Sequence, residues 1–292
     1  MAVTSLKRSK TASGSYYERY GQENSAAGKE AILFIHGVGM NCGVWEPQVR
    51  AFAKTYQIII YDTLGHGLSP LPSEHAGLEE YIAQLYELIE SLGLAKVHIV
   101  GHSMGALVAI AFALHHEERV LSLSAMMGVY DRTKEHSERS KATAKLLAEV
   151  GPAAALEKTF ARWFSSEDHA DPRRAKDIAR IKGWLADVDL VGYARAYRAF
   201  AENSDAFVGR LGELSVPALF LTAENDPNST PEMSRKMAAA TPKGRLCVLK
   251  DERHMAPYLA AEAVNRELGS FLAEQNSNEC SSVKSKHKEA AQ

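Results

Sequence analysis

The segment Gly101-His102-Ser103-Met104-Gly105 restricts the fold more than any other stretch of the chain. An apolar run, KVHIV, precedes it and an alanine-rich run, ALVAIAFAL, follows it. The first predicts a buried strand and the second a helix, so the pentapeptide has to turn the chain from one to the other within a few residues. Glycine at both ends of so tight a turn removes Cβ atoms that would strike the adjacent strand and helix. A serine at the apex is held in a strained backbone, with its hydroxyl exposed above the strand.

Further strand candidates surround this one. Ala31–Ile35 (AILFI), Ile58–Tyr61 (IIIY), Val97–Val100 (VHIV), Val120–Ala125 (VLSLSA), Ala218–Thr222 (ALFLT) and Leu246–Leu249 (LCVL) are short, nearly continuous apolar runs. Continuous runs suit strands covered on both faces, as in a parallel sheet, better than the alternating pattern of a half-exposed one. Leu78–Leu92, Ala106–His115, Pro231–Ala240 and Glu262–Ala273 read as the intervening helices. The alternation predicts an α/β fold with a doubly wound, mostly parallel sheet.

It breaks between about Tyr130 and Glu213, where KATAKLLAEV, PAAALEKTFARWF, RRAKDIARIKGWL and YARAYRAFA are all helical in pattern. A stretch of that length is too long for a connection, which predicts an inserted helical cap over 131–213. The core is then expected over 14–130 and 214–274. Residues 1–13 read as a flexible arm, with a transit peptide as the weaker alternative for the basic MAVTSLKRSK. The polar stretch 275–292, whose only large aliphatic residue is Val283, reads as disordered.

Charge excludes some partners. With 34 Lys and Arg against 36 Asp and Glu, no nucleic acid or membrane surface is expected to bind. The longest apolar run, Ala106–Leu114, falls well short of the ~20 residues that span a bilayer. No apolar leader region follows the start, and Cys42, Cys247 and Cys280 are odd in number and scattered. Neither a disulfide framework nor a zinc site is expected from them, and a cytoplasmic location is. No metal or other cofactor is implied, and a monomer or homodimer acting on a small molecule fits.

In order along the chain, His36-Gly37-Val38-Gly39 ends the strand AILFI and Asp62-Thr63-Leu64-Gly65-His66-Gly67-Leu68-Ser69 follows IIIY. Leu221-Thr222-Ala223-Glu224-Asn225-Asp226-Pro227 and Arg253-His254-Met255 come later. With the serine turn, these segments resemble the α/β-hydrolase superfamily from about Ala31 to Phe271, in the family order Ser103, Asp226, His254. The resemblance implies a serine hydrolase. Ser103 is the nucleophile, and His254, on a loop after the last strand, is the base that accepts its proton. Asp226 holds the imidazole in the required tautomer.

Asp131, after AMMGVY, is the alternative acid, since some members of this fold take theirs from that strand. The backbone N–H groups of Val38 and Met104 are the implied oxyanion donors. Asp62, His36 and His66 read as braces of the neighbouring turns, and His102 is given no catalytic role.

Serine at the elbow sets the chain apart from the dehalogenases and epoxide hydrolases of this fold, which use aspartate. The cap segments Arg162-Trp163-Phe164 and Gly192-Tyr193-Ala194-Arg195-Ala196-Tyr197-Arg198 resemble those of 3-oxoadipate enol-lactonases and related hydrolases of small acids, including methylene-succinate amides. A small carboxylated ester, lactone or amide is the implied substrate. Arg132, Arg162, Arg195 and Arg198 are candidates to bind the carboxylate, and Trp163, Phe164, Trp184 and Tyr197 to wall the pocket. A C–C bond hydrolase and a cofactor-free perhydrolase remain open on the same residues. A ligand receptor built on a retired hydrolase is disfavoured, because every position of the triad is filled.

Overall fold

The computed structural model describes residues 7–21, 29–150 and 153–289. Eight strands form one sheet: β1 (Lys7–Lys10), β2 (Tyr16–Tyr20), β3 (Ala31–Ile35), β4 (Gln57–Tyr61), β5 (Val97–His102), β6 (Val120–Met126), β7 (Ala218–Ala223) and β8 (Gly244–Leu249). Their spatial order is β1-β2-β4-β3-β5-β6-β7-β8. The β1–β2 and β2–β4 pairs are antiparallel and the others parallel. The apolar runs behave as a doubly covered sheet requires, and every residue of β3, β5 and β7 is buried.

Eleven helices accompany them among the described residues: α1 (Glu46–Phe52), α2 (Leu78–Ser91), α3 (Met104–His115), α4 (Lys134–Val150), α5 (Ala153–Trp163), α6 (Ser166–Ala170), α7 (Pro172–Ala186), α8 (Leu190–Asn203), α9 (Pro231–Ala240), α10 (Ala256–Leu259) and α11 (Ala261–Glu289). Helix α3 is apolar all round and buried from Met104 to Ala113, as a helix enclosed by other elements must be. Helix α2 instead buries one stripe, Leu78, Tyr81, Ile82, Leu85, Leu88 and Ile89, and its exposed face carries charge.

The five helices α4–α8 lie between β6 and β7 and form the cap. Asp189 caps α8 by accepting from the Gly192 N–H at 2.7 Å. There the cap meets the turn after β4 backbone to backbone. A Cβ on Gly192 would lie 2.2 Å from the Gly65 carbonyl oxygen, and Gly65 itself has φ +78°.

Both ends of the described chain carry regular backbone. Lys7–Lys10 are not a loose arm: they pair with β2 as the edge strand, from Lys7 opposite Arg19 to Lys10 opposite Tyr16. An edge strand draws its order from backbone pairing and tolerates charge, so KRSK carries no apolar signal. The backbone of 275–289 continues α11. That helix is anchored by buried Val264, Leu268, Phe271 and Leu272, and no glycine or proline follows Gly269 to end it. Residues 1–6 and 290–292 lie outside the described residues. Among the described residues no helix is long and apolar enough to cross a membrane.

Candidate active site

The end of β5 and the start of α3 are separated by a single residue, Ser103, with φ 55° and ψ −117°. Such a conformation costs a non-glycine residue about 1–3 kcal/mol and survives only where its surroundings over-determine it. They do so here. A Cβ at Gly101 would sit 2.1 Å from the Gly105 carbonyl oxygen, and one at Gly105 would sit 2.2 Å from that of Ile35. The Ser103 N–H donates to Met126 O at 2.9 Å, which ties the turn to β6.

Loops after two further parallel strands reach the same point, at the carboxyl edge of the sheet. His254, beyond β8, has Nε2 3.1 Å from Ser103 Oγ. Its Nδ1 lies 2.6 Å from Oδ2 of Asp226, beyond β7. Oδ1 of Asp226 accepts from the N–H groups of Asn228 (2.8 Å) and Ser229 (3.1 Å). Burial alone would push the Asp226 carboxyl upward, but the His254 imidazole and these donors outweigh it and hold the group below the usual carboxylate range. An ionised Asp226 can only accept, so Nδ1 of His254 carries the proton and Nε2 is left to accept from the serine hydroxyl. A hydroxyl so placed can lose its proton to the imidazole as it attacks.

Three buried histidines brace this arrangement. His36 Nε2 accepts from the Thr63 N–H at 3.0 Å, leaving Nδ1–H to donate to Gly37 O at 2.8 Å. His66 Nε2 accepts from the Gly39 N–H at 2.9 Å, so both rings pin the loop after β3. His102 Nε2–H donates to His254 O at 2.9 Å. Asp62 holds the same region through the N–H groups of Cys42 (2.8 Å) and Leu68 (2.9 Å).

Burial lowers His36 to about 4 and His66 and His102 to about 3, well under the ordinary 6.5. Unfolding therefore takes up protons as pH falls. The stability these rings contribute is complete above about pH 6.5 and is lost as pH drops toward 4 and 3, by up to about 1.4 kcal/mol per pH unit for each ring. Urea midpoints are expected to be level from pH 8 to 7 and to fall steeply from pH 6.5 to 5. A level curve down to pH 5 would contradict the assignment of neutral rings.

Ser103 and His254 open onto a cavity of about 160 Å³ between core and cap. Val38 and Val129 line its core side; Thr143, Thr159, Tyr193, Tyr197 and Phe200 line its cap side. The Trp163 ring stacks on the His254 imidazole, with centroids 5.8 Å apart and planes at 19°. Arg132, Arg139 and Arg162 face the same space.

The sequence matches the α/β-hydrolase fold family over residues 30–261. The chain belongs to the α/β-hydrolase family. This hydrolase is 35% identical over 245 residues to the (E)-2-((N-methylformamido)methylene)succinate hydrolase of Acinetobacter baylyi, covering 83% of this chain and 90% of that one. It is 30% identical over 210 residues to 3-oxoadipate enol-lactonase 1 of the same organism, covering 72% of this chain and 76% of that one. Among solved structures, a thermophilic esterase from Thermogutta terrifontis superposes with a TM-score of 0.82 at 24% identity, over 92% of this chain and 99% of that one, a likeness of fold.

Of the residues singled out from the hydrolase's sequence, Ser103, Asp226 and His254 are brought together. Asp131 is not: its carboxylate pairs with Lys236 at 2.6 Å on the surface. Arg132, Arg162, Trp163 and Tyr197 line the cavity. Arg195 and Arg198 do not, because they turn outward and donate to the carbonyls of Pro72 and Glu74. Trp184 packs on Tyr258 outside the cavity, and Phe164 packs beneath Trp163 against Phe160.

Arg139, His136, Tyr193 and Phe200 line the cavity without having been singled out as pocket residues. Tyr193, Tyr197 and Phe200 stand at i, i+4 and i+7 of α8, one face of a helix, and that phase places Arg195 and Arg198 elsewhere.

Proposed function

We propose that this hydrolase cleaves a small carboxylated ester, lactone or amide through a covalent serine intermediate. The observation that carries the reading is the unbroken Ser103–His254–Asp226 chain opening onto a cavity faced by Arg132 and Arg162, which form no ion pair among the described residues. Ser103 Oγ attacks the carbonyl carbon while His254 Nε2 takes the hydroxyl proton. The oxyanion is held by the N–H groups of Val38 and Met104, each worth about 3 kcal/mol of transition-state stabilisation. Met104 is the first residue of α3, so its N–H belongs to the set that a helix leaves without an internal acceptor. Collapse breaks the bond to the leaving oxygen or nitrogen, which takes the proton from His254. Water, deprotonated by His254, then releases the acid and regenerates Ser103.

The substrate's carboxylate falls to Arg132 and Arg162. Arg132 donates to Ser140 Oγ at 2.7 Å and Arg162 to Thr159 Oγ1 at 3.1 Å, and neither forms an ion pair among the described residues. The Nε of each is buried and has no partner among the described residues. Guanidinium groups left so are matched by a carboxylate, which accepts two parallel hydrogen bonds. The names of the two Acinetobacter relatives, a succinate-derived amide hydrolase and an enol-lactonase, support the same class.

Matched pairs of small esters, lactones and amides, each with a free carboxylate or its methyl ester, test this. The free acids are expected to have kcat/KM higher by about 100-fold, as a charge-assisted hydrogen bond of about 3 kcal/mol requires. Equal or faster turnover of the neutral esters would overturn the substrate assignment.

A further inference from the structure

Arg174, near the start of α7, bridges from the cap to the loop that carries His254. Its Nη2 donates to Glu252 Oε1 at 2.6 Å and its Nη1 to Glu252 Oε2 at 3.1 Å, a bidentate pair. The same Nη1 donates to Asp168 Oδ1 at 2.5 Å. The three side chains are only 28%, 15% and 7% exposed in the order Arg174, Glu252, Asp168, so water screens them less than a surface pair.

Both carboxylates are themselves tied to the site. Asp168 closes a capping box with Ser165: the Ser165 N–H donates to Asp168 Oδ2 at 2.8 Å and the Asp168 N–H to Ser165 Oγ at 3.1 Å. Ser165 follows Trp163 by two residues. On the other side, Glu252 precedes His254 by two, and its carbonyl accepts from the Asn225 N–H at 2.9 Å, next to Asp226. The connections therefore form a ring. It runs from Trp163 through Ser165, Asp168, Arg174 and Glu252 to His254, and it closes where the indole stacks on the imidazole.

We propose that Arg174 is a positioning residue, a clasp between cap and histidine loop that fixes Trp163 against His254. The proposal rests on His254 being the base of the reaction above. A guanidinium fork matches two carboxylates at once and fixes their separation, which an ammonium does not. Arg162 neighbours Trp163 on α5, so releasing the clasp loosens the carboxylate-binding wall together with the imidazole. Both KM and kcat then change. A part that only stabilised the fold would lower Tm and leave the kinetics of the folded enzyme alone.

The experiment compares Arg174→Ala, Glu252→Ala and the double variant, with Arg174→Lys and Glu252→Gln as milder forms. Each is assayed on the full chain for kcat, KM and the rate of labelling by a fluorophosphonate. Each alanine variant is expected to lose about 10- to 100-fold in kcat/KM, divided between a higher KM and a lower kcat, as for a small misplacement of catalytic groups. The double variant is expected to lose no more than either single one, and Arg174→Lys to recover part of the loss. Wild-type labelling and turnover in Arg174→Ala, or losses that multiply in the double variant, would overturn the clasp. If Arg174→Ala does not fold, Arg174→Lys and Glu252→Gln decide, since wild-type kinetics in both overturn it.

Hydrogen exchange separates the clasp from the reaction. Faster exchange in 158–170 and 250–256 of the variants is expected, and unchanged exchange there refutes the clasp even if the wild-type protein never labels. Failure of the wild-type protein to label refutes the hydrolase reading instead.

Discussion

Replacing Ser103, His254 or both with alanine is expected to lower kcat by nearly the same factor, about 10⁶-fold. The three losses coincide because the groups act as a unit. Without the imidazole 3.1 Å from its oxygen, the Ser103 hydroxyl has nothing to take its proton, and without the hydroxyl the imidazole has nothing to activate. Independent contributions would instead multiply. Residual hydrolysis is expected to stay about 10³-fold or more above water, because the N–H groups of Val38 and Met104 and the cavity walls survive both changes. Ser103→Ala is also expected not to reduce stability, since alanine keeps the turn's side-chain volume small. Single-turnover assays of the three variants, with thermal melts to confirm folding, decide the matter. A double variant far slower than either single one would show that the two side chains do not share one step.

The second large effect concerns the cap. Replacing Arg132 and Arg162 together by methionine is expected to reduce kcat/KM for carboxylated substrates by about 10³-fold, mostly through KM. Each change removes a charge-assisted interaction of about 1.5–3 kcal/mol. Neutral methyl esters of the same substrates are expected to lose far less. Stability is expected to move the other way. Arg132 is half-buried over the Phe200 ring, 5.2 Å from its centroid, and desolvation holds its guanidinium below the usual arginine range. Its Nε has no partner among the described residues. A partly desolvated cation that forms no ion pair among the described residues destabilises the empty protein, so methionine in its place is expected to raise Tm. A variant that melts higher and binds worse marks a group kept for its ligand. Unchanged KM in the double variant would remove the arginines from recognition.

Much of this was readable from the sequence, and for definable reasons. The parallel strands were legible because burial on both faces forces continuous apolar runs, and AILFI and VHIV are such runs. The serine turn was legible because its two glycines answer backbone contacts near 2 Å that no other residue can satisfy. Elements held mainly by the backbone were not. KRSK and YYERY pair through main-chain groups toward the edge and carry charge, and the short helix Glu46–Phe52 has only seven residues, with a proline in its first turn.

Between the two acid candidates, sequence alone left both open. Distance decides the geometry: Asp226 lies 2.6 Å from the imidazole, and Asp131 reaches Lys236 instead. In the cap, sequence supplied the residue types but not which face they occupy. Arg139 was missed because on α4 it reads as one member of a solvated pair with Glu135, which it also forms. Arg174 and Glu252 had no sequence signal, since their meeting depends on how the cap lies on the core.

The most direct measurement is covalent labelling of the whole protein with a fluorophosphonate, followed by peptide mapping. A single adduct on Ser103, absent from Ser103→Ala and slowed by a small carboxylated competitor, is the expected result. No adduct, or one that persists in Ser103→Ala, would contradict a serine nucleophile at the head of α3.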